Sequence, residues 1–374
     1  MAKGPDAPAE SGQPQAKKHR VALGLQGGGA HGAFTWGIVD RLLADPTLEI
    51  IGVTGASAGA MNAIVLADGL VRGGPQLARS KLREFWEEIG DMIGFGTFMP
   101  PLSGEIVAGM KLEETPAYAM WDMLSHFLSP YDLNPNGWHP LVPLLTRMID
   151  FDALRARADF PVLVCATNAR TSQRRVFTNA DMTLEAVLAS ACLPKMFQAI
   201  EIDGEPYWDG GFTGNPAIIG LLPRLPDCDL LVVRIDPMIR SDTPRTVSEI
   251  HDRVVEISFN STFWLELTVL GAFKTFADMG LLKKERFHRI RFHMLEAGNI
   301  MEKFPRTSKS NNNRAMLEYL FTLGSETADT WLARNRADLG KRSTYDLRQL
   351  LPAGSEDLLQ GRSEELETFT SALP

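Results

Sequence analysis

Short apolar runs that stop at glycine, each followed by apolar residues at every fourth position, set the pattern of the first part of the chain. Val21 to Leu25 is such a run, and Phe34, Ile38 and Leu42 follow it at helical spacing. The unit repeats at once. Ile50 to Thr54 is short and β-branched, Gly55 to Gly59 is tight, and Ala60 to Val71 is rich in strong helix formers. Two successive strand-to-helix units predict a parallel sheet of the α/β class. Farther on, Pro161 to Thr167 reads as a buried strand, Arg174 to Thr178 as its antiparallel neighbour, and Leu184 to Ala191 as a helix. Ile200 to Trp208 folds about an Asp203-Gly204 turn into a hairpin that feeds directly into Asp209. Leu230 to Ile235 and Arg289 to Phe292 complete the sheet.

Between these units the alternation breaks down. From Phe85 to Asp150, Met, Trp, Phe and Pro accumulate, which predicts helices and loops inserted as a cap. Thioethers and aromatic rings suit an acyl-chain groove or lid, and they suit a plain core equally well. Val247 to Leu282 is helical and apolar, but Glu256, Glu266 and Lys274 interrupt it, so it does not read as a bilayer span. Core packing is its default role, and a groove cover, a membrane contact or a contact with a second subunit is compatible with it. Asn313 to Ala337 forms an amphipathic helix. The expected organisation is a leader without order over residues 1–19, a main α/β unit over 20–236 with the cap at about 85–150, a mainly helical extension packed on it over 237–352, and a loose acidic tail over 353–374.

Composition narrows the class. The chain has 374 residues, 44% hydrophobic and 22% charged, with a formal charge of −8. That balance excludes a nucleic-acid-seeking domain. The three cysteines, Cys165, Cys192 and Cys228, show no CxxC spacing, so neither a disulfide framework nor a zinc site is indicated and a reducing, cytoplasmic setting fits. No apolar run reaches about 18 residues, while peripheral contact with a membrane and a homo-oligomer are both compatible with the sequence.

Three glycine-framed segments carry the chemistry. A serine hydroxyl is a poor nucleophile unless it is exposed, has a base beside it and has donors for the oxyanion it creates. Gly55-Ala56-Ser57-Ala58-Gly59 is a GxSxG pattern between a strand and a helix, the setting of a nucleophile elbow. Gly27-Gly28-Gly29-Ala30-His31-Gly32 is a backbone anion cradle in which Gly27, Gly28 and Gly29 can turn N–H groups toward one point. The same six residues satisfy GxGxxG. A dinucleotide fold, however, places an acidic residue at the end of the second strand, where this chain has Gly55-Ala56-Ser57. Asp209-Gly210-Gly211 offers a carboxylate in a turn. The histidines after it, His251, His288 and His293, lie in no glycine-framed loop, and His288 and His293 flank an expected strand. Asp209 is therefore the better base, its basicity raised by partial burial above the reference near 3.9.

These three blocks, in this order, resemble those of the patatin-like phospholipases over roughly residues 20 to 236. The resemblance implies a three-layer α/β/α sandwich with a mainly parallel central sheet. It also implies a catalytic dyad of Ser57 as nucleophile and Asp209 as general base, with Gly27 to Gly29 as oxyanion hole and Ala30, His31, Gly32, Gly55, Gly59, Gly210 and Gly211 shaping the motifs. The implied activity is hydrolysis of lipid acyl esters without metal or organic cofactor. An acyltransferase or a polyester depolymerase would use the same dyad, and a nucleotide-binding α/β protein is the competing class. Two positions depart from the family pattern. Gln26 stands where many members have Asp or Gly, and His31 replaces the common Arg or Lys, removing a fixed positive charge from beside a phosphate-bearing substrate. His31 is open to two roles, a donor to the oxyanion or a structural residue at the helix start.

Overall fold

The computed structural model describes residues 18–92, 127–238, 240, 243–278, 290–304 and 306–350. Most of the expected leader, the 93–126 part of the expected cap, the end of the Val247–Leu282 helix, His288 and the expected tail lie outside these residues.

Among the described residues eight strands form one sheet: β1 (His19–Leu25), β2 (Leu48–Gly55), β3 (Val162–Asn168), β4 (Arg174–Phe177), β5 (Ile200–Ile202), β6 (Glu205–Asp209), β7 (Cys228–Arg234) and β8 (Ile290–Glu296). Hydrogen-bonded neighbours run β5-β6-β3-β2-β1-β7-β8, and β4 also pairs with β3. The pairs β3–β2, β2–β1, β1–β7 and β7–β8 are parallel, and those made by β4, β5 and β6 are antiparallel. β1 begins at His19, inside the expected leader.

Each central strand is apolar on both faces because helices cover both. Val21, Leu23, Leu25, Val53, Leu231 and Val233 join one core with α1 (Gly32–Leu43), α2 (Ala58–Asp91), α3 (Leu141–Met148) and α6 (Arg314–Asn335). The alternate residues Ala22, Leu230 and Val232 join a second core with Phe263, Leu267 and Leu270 of α5 (Val247–Asp278). Period-two alternation between two cores is the signature of a sheet sandwiched by helices, and the architecture is three-layer α/β/α. α6 lies against α1 so closely that Gly37 faces the Phe321 carbonyl and Gly324 the Phe34 carbonyl. The region after residue 236 thus supplies one outer layer, an edge strand and part of the other layer.

Two expectations change in detail. α2 does not stop near Val71. It kinks at Gly74 (φ 79°, ψ −166°), ahead of Pro75, and continues to Asp91, so Phe85 and Trp86 belong to this helix and are buried. His293 does not flank β8 but lies within it, fully buried.

Candidate active site

The elbow is built by β2 and α2. Ser57 takes φ 55° and ψ −128°, a conformation L-residues rarely adopt, and it turns the chain from strand into helix within one residue. Gly59 permits the turn, since any side chain there would run into the Leu25 carbonyl of β1. The Ser57 N–H donates to the Ser190 carbonyl at 3.1 Å and to Ser190 Oγ at 3.1 Å, which ties the elbow to the end of α4 (Leu184–Ser190).

Register places Asp209 beside this elbow. Val164 of β3 pairs with Gly55 of β2 and with Phe177 of β4, and Ala166 pairs with Asp209 of β6 and with Arg175 of β4. β4 occupies one side of β3 throughout, so β2 and β6 share the other side and meet there end to end. The Cα atoms of Gly55 and Asp209 are consequently separated by two residues along β3, about 7 Å. The Asp209 N–H donates to the Cys192 carbonyl at 2.8 Å, two residues from the carbonyl that receives Ser57 N–H. One short stretch, Ser190 to Cys192, therefore holds both chain segments. The Asp209 carboxylate is buried, and its Oδ1 accepts from Gly211 N–H at 2.7 Å. Gly210 packs on the Cys165 carbonyl and Gly211 on Phe259 of α5.

The glycine loop crosses in front of Ser57. A Cβ on Gly27 would lie 2.7 Å from Ser57 Cβ, and Gly29 adopts φ 57°. Gly27 N–H donates to Asn215 Oδ1 at 2.7 Å, so this donor is committed to holding the loop. Gln26, at the departure from the family pattern, is fully buried, and its Oε1 accepts from Ile235 N–H at 2.7 Å and Asp236 N–H at 2.9 Å. The His31 ring makes a 2.7 Å hydrogen bond with Ser308 Oγ and meets Phe304 edge-on. Burial, and secondarily the charge of Lys309, lowers its pKa to about 3, so the imidazole is neutral at pH 7.

The later histidines are not at the elbow. His293 shares hydrogen bonds with Asp229 Oδ1 and Thr344 Oγ1, both at 2.9 Å, on a strand three positions from β2, about 14 Å across the sheet. The side chain of His251 lies outside the described residues. No group of three or more His, Cys, Asp or Glu residues among those described is placed to hold a metal ion.

Ser57, Gly27, Gly28 and Gly29 line a cavity of about 160 Å³, room for several water molecules or a stretch of acyl chain. Met61, Phe85, Trp86, Ile89, Leu193, Met196, Phe197 and Phe259 give most of its wall, and Asp236, Lys309, Ser310 and Asn312 give a polar end. Phe85 and Trp86 were legible as residues of an apolar segment near the site. Asn215, Ser190, Asp236 and Lys309 were not singled out, because none sits in a motif and each reaches the site by a long-range contact.

Two of the three glycine-framed segments, at Gly27 to Gly29 and at Ser57, line this cavity, while Asp209 to Gly211 lie outside its wall. The chain matches the family described as Patatin-like phospholipase over residues 23–222, more than half of its length. The chain belongs to the patatin-like phospholipase family. The family implies a lipid-hydrolysing enzyme. No curated protein matches the chain significantly. Among solved structures, this patatin-like chain is similar to VipD from Legionella pneumophila, at 15% identity and TM-score 0.31, covering 82% of this chain and 67% of VipD. It is also similar to ExoU in the heterodimeric ExoU–SpcU complex of the type III secretion system of Pseudomonas aeruginosa, at 15% identity and TM-score 0.31. That match covers 95% of this chain and 61% of ExoU, so the chain spans less than two thirds of ExoU's length. No helix of the described residues is long and apolar enough to cross a membrane.

Proposed function

We propose that this chain is a serine acyl hydrolase that cleaves acyl esters of lipids with a Ser57–Asp209 dyad. Ser57 Oγ attacks the ester carbonyl carbon while its proton passes to the Asp209 carboxylate. The oxyanion is held by the N–H groups of Gly28 and Gly29 with that of Ala58, the residue after the nucleophile at the first turn of α2. Gly27 serves as the anchor of the loop. Collapse expels the alcohol, which takes the proton from Asp209 and leaves an acyl-Ser57 ester. Water then attacks that ester, gives a proton to Asp209 and releases the fatty acid, and the proton returns to Ser57 Oγ.

The observation that carries this reading is the end-to-end meeting of β2 and β6 on one side of β3, with Ser57 at a positive φ on the cavity wall. The register that brings the end of β6 to the end of β2 supports direct proton transfer from Ser57 to Asp209 without an imidazole intermediary. The three-residue Ser190–Cys192 segment fixes the spacing of the two residues through backbone hydrogen bonds. The cavity's apolar wall suits an acyl chain, and contact with a membrane surface is consistent with substrates that reside there.

A fluorophosphonate probe and a p-nitrophenyl ester test the reading. Wild type takes the label and turns over ester, Ser57→Ala does neither, and Asp209→Asn retains its fold by circular dichroism but loses turnover. Absence of labelling in wild type refutes the nucleophile. Normal turnover by Asp209→Asn refutes the base.

A further inference from the structure

Glu266, one of the charges that interrupt α5, does not face solvent. Its side chain lies on the face of the helix that carries Phe263, Leu267 and Leu270 into the second core, and it is 3% exposed. A carboxylate in such a place is costly unless it is paired and hydrogen-bonded. Both of its oxygens are used. Oε2 accepts from Ile219 N–H at 2.7 Å, and Oε1 accepts from the guanidinium of Arg174 on β4. The same guanidinium packs on Gly214, where a Cβ would come within 2.7 Å of Nη1.

One turn earlier on α5, Thr262 Oγ1 donates to the Gly211 carbonyl at 3.2 Å, two residues after Asp209. The segment from Gly211 to Ile219 is therefore gripped at both ends by one helix. Asn215 sits midway along it, where its Oδ1 receives Gly27 N–H, and Thr54 Oγ1, just ahead of the elbow, donates to the Ala217 carbonyl at 3.3 Å. Stability alone is a weak account of the Arg174–Glu266 pair. A buried ion pair is often no better than apolar side chains of similar volume, because desolvation offsets the attraction, and apolar neighbours are already in place beside Glu266. What the pair supplies and a leucine lacks is direction, since the carboxylate and the guanidinium fix where Ile219 and Gly214 lie on either side of Asn215.

We propose that Glu266, together with Arg174, is a positioning residue of the candidate site. The pair sets the place of the 211–219 segment and, through Asn215, holds the glycine loop in front of Ser57. Neither side chain belongs to the cavity wall, so the pair acts on the reacting atoms only through the backbone it fixes. The inference rests on the Ser57–Asp209 reading for its effect on turnover, while its effect on the loop is independent of that reading.

Two variants of the full chain separate positioning from simple support. Arg174→Met combined with Glu266→Leu replaces the pair by apolar groups, and Glu266→Gln keeps an oxygen for Ile219 N–H. The first readout, hydrogen exchange at Gly27 N–H, needs no turnover. Relative to the amides of β1, exchange there should speed up by about 10-fold in the apolar variant and return close to the wild-type rate in Glu266→Gln. The second readout is p-nitrophenyl ester hydrolysis, in which kcat should fall by about 10-fold in the apolar variant with KM nearly unchanged. In an Asn215→Ala background the same two changes should lower kcat by less than about 2-fold, because the anchor they act through is already gone. Unchanged exchange at Gly27 in the apolar variant overturns the proposal, and so does a loss of kcat that multiplies in full with that of Asn215→Ala. Glu266→Met alone, in which the part-exposed Arg174 can turn to water, gives the same two readouts should the apolar variant fail to fold. A wild type that neither takes a fluorophosphonate label nor turns over ester is a different result, which removes the Ser57–Asp209 reading and leaves exchange at Gly27 to decide this one.

Discussion

Replacing Asn215 by alanine removes the acceptor that holds the glycine loop in front of Ser57. Gly27 N–H lies 2.7 Å from Asn215 Oδ1, and both residues are buried, so truncation strands a donor away from water. A stranded buried donor costs about 1–3 kcal/mol. The chain can meet that cost in two ways. If the loop stays in place, the whole penalty appears as lost stability, read as a lower urea midpoint at unchanged m-value. If the loop relaxes, it moves away from the tight contact between Gly27 and Ser57, where a Cβ would come within 2.7 Å, and Gly28 and Gly29 move with it. One oxyanion donor is worth about 10²- to 10³-fold in kcat, so partial misalignment of two should lower kcat by about 10- to 100-fold. KM should change far less, because an oxyanion contact forms only in the transition state. The assay is p-nitrophenyl ester hydrolysis with kcat and KM resolved, alongside urea unfolding of the same samples. Wild-type midpoint together with wild-type kcat in Asn215→Ala would refute the assignment of Asn215 as the loop's anchor. A rise in KM at constant kcat would show that the loop binds ground-state substrate instead.

Two further outcomes follow from buried charge. Asp68 and Lys81 face each other across the kink of α2, with Lys81 also donating to the Met148 carbonyl and Asp68 accepting from Asp150 N–H at 2.8 Å. Lys81→Met should destabilise by up to about 3–5 kcal/mol by leaving the buried Asp68 carboxylate with only the half-exposed Arg72 at 3.5 Å as its cation, and Asp68→Asn added to it should restore much of that, as measured by urea unfolding. Burial also lowers the pKa of His31 to about 3 and that of His139 to about 4, both below the unfolded value near 6.5. The unfolded chain then binds more protons than the native one, so stability falls as pH drops below about 6.5. The slope is up to about 1.4 kcal/mol per pH unit for each histidine until its native pKa is reached. Asp45 and Asp229, whose carboxyls are held below the usual range, lose their contribution only at more acidic pH. Urea midpoints at pH 7 and pH 5 should therefore differ less in His139→Phe than in wild type, and identical differences would exclude the buried neutral imidazole.

Features that depend on local backbone geometry were legible in the sequence. GxSxG announces a sharp strand-to-helix turn, and Ser57 has the positive φ that such a turn requires. Asp203-Gly204 announces a hairpin, and φ is 56° and 76° at these two residues, the left-handed pair of the tight turn expected there. Asp209 was legible as a turn carboxylate, but its distance from Ser57 was not, since that depends on β6 taking over the side of β3 that β2 vacates. The helix-forming run read in the sequence ends at Val71. The helix bends and continues because Phe85 and Trp86 bury against the core and the Asp68–Lys81 pair spans the bend. Asn215 and Ser308 left no trace because their partners, Gly27 and His31, lie 188 and 277 residues away in sequence.

The candidate site is therefore not contained in the segment that bears the family's motifs. Residues 23–222 supply Ser57, Asp209 and the glycine loop, but Gly211 rests on Phe259 of α5, Gln26 holds the turn after β7, and His31 is bonded to Ser308. Phe259, Asp236 and Lys309 complete the wall. Removing everything after residue 236 would expose the second core along Ala22, Leu230 and Val232 and open the sheet edge that β8 covers. It would also leave the glycine loop without its outer support. The physical unit that holds the three motifs in register is longer than the motifs' own span.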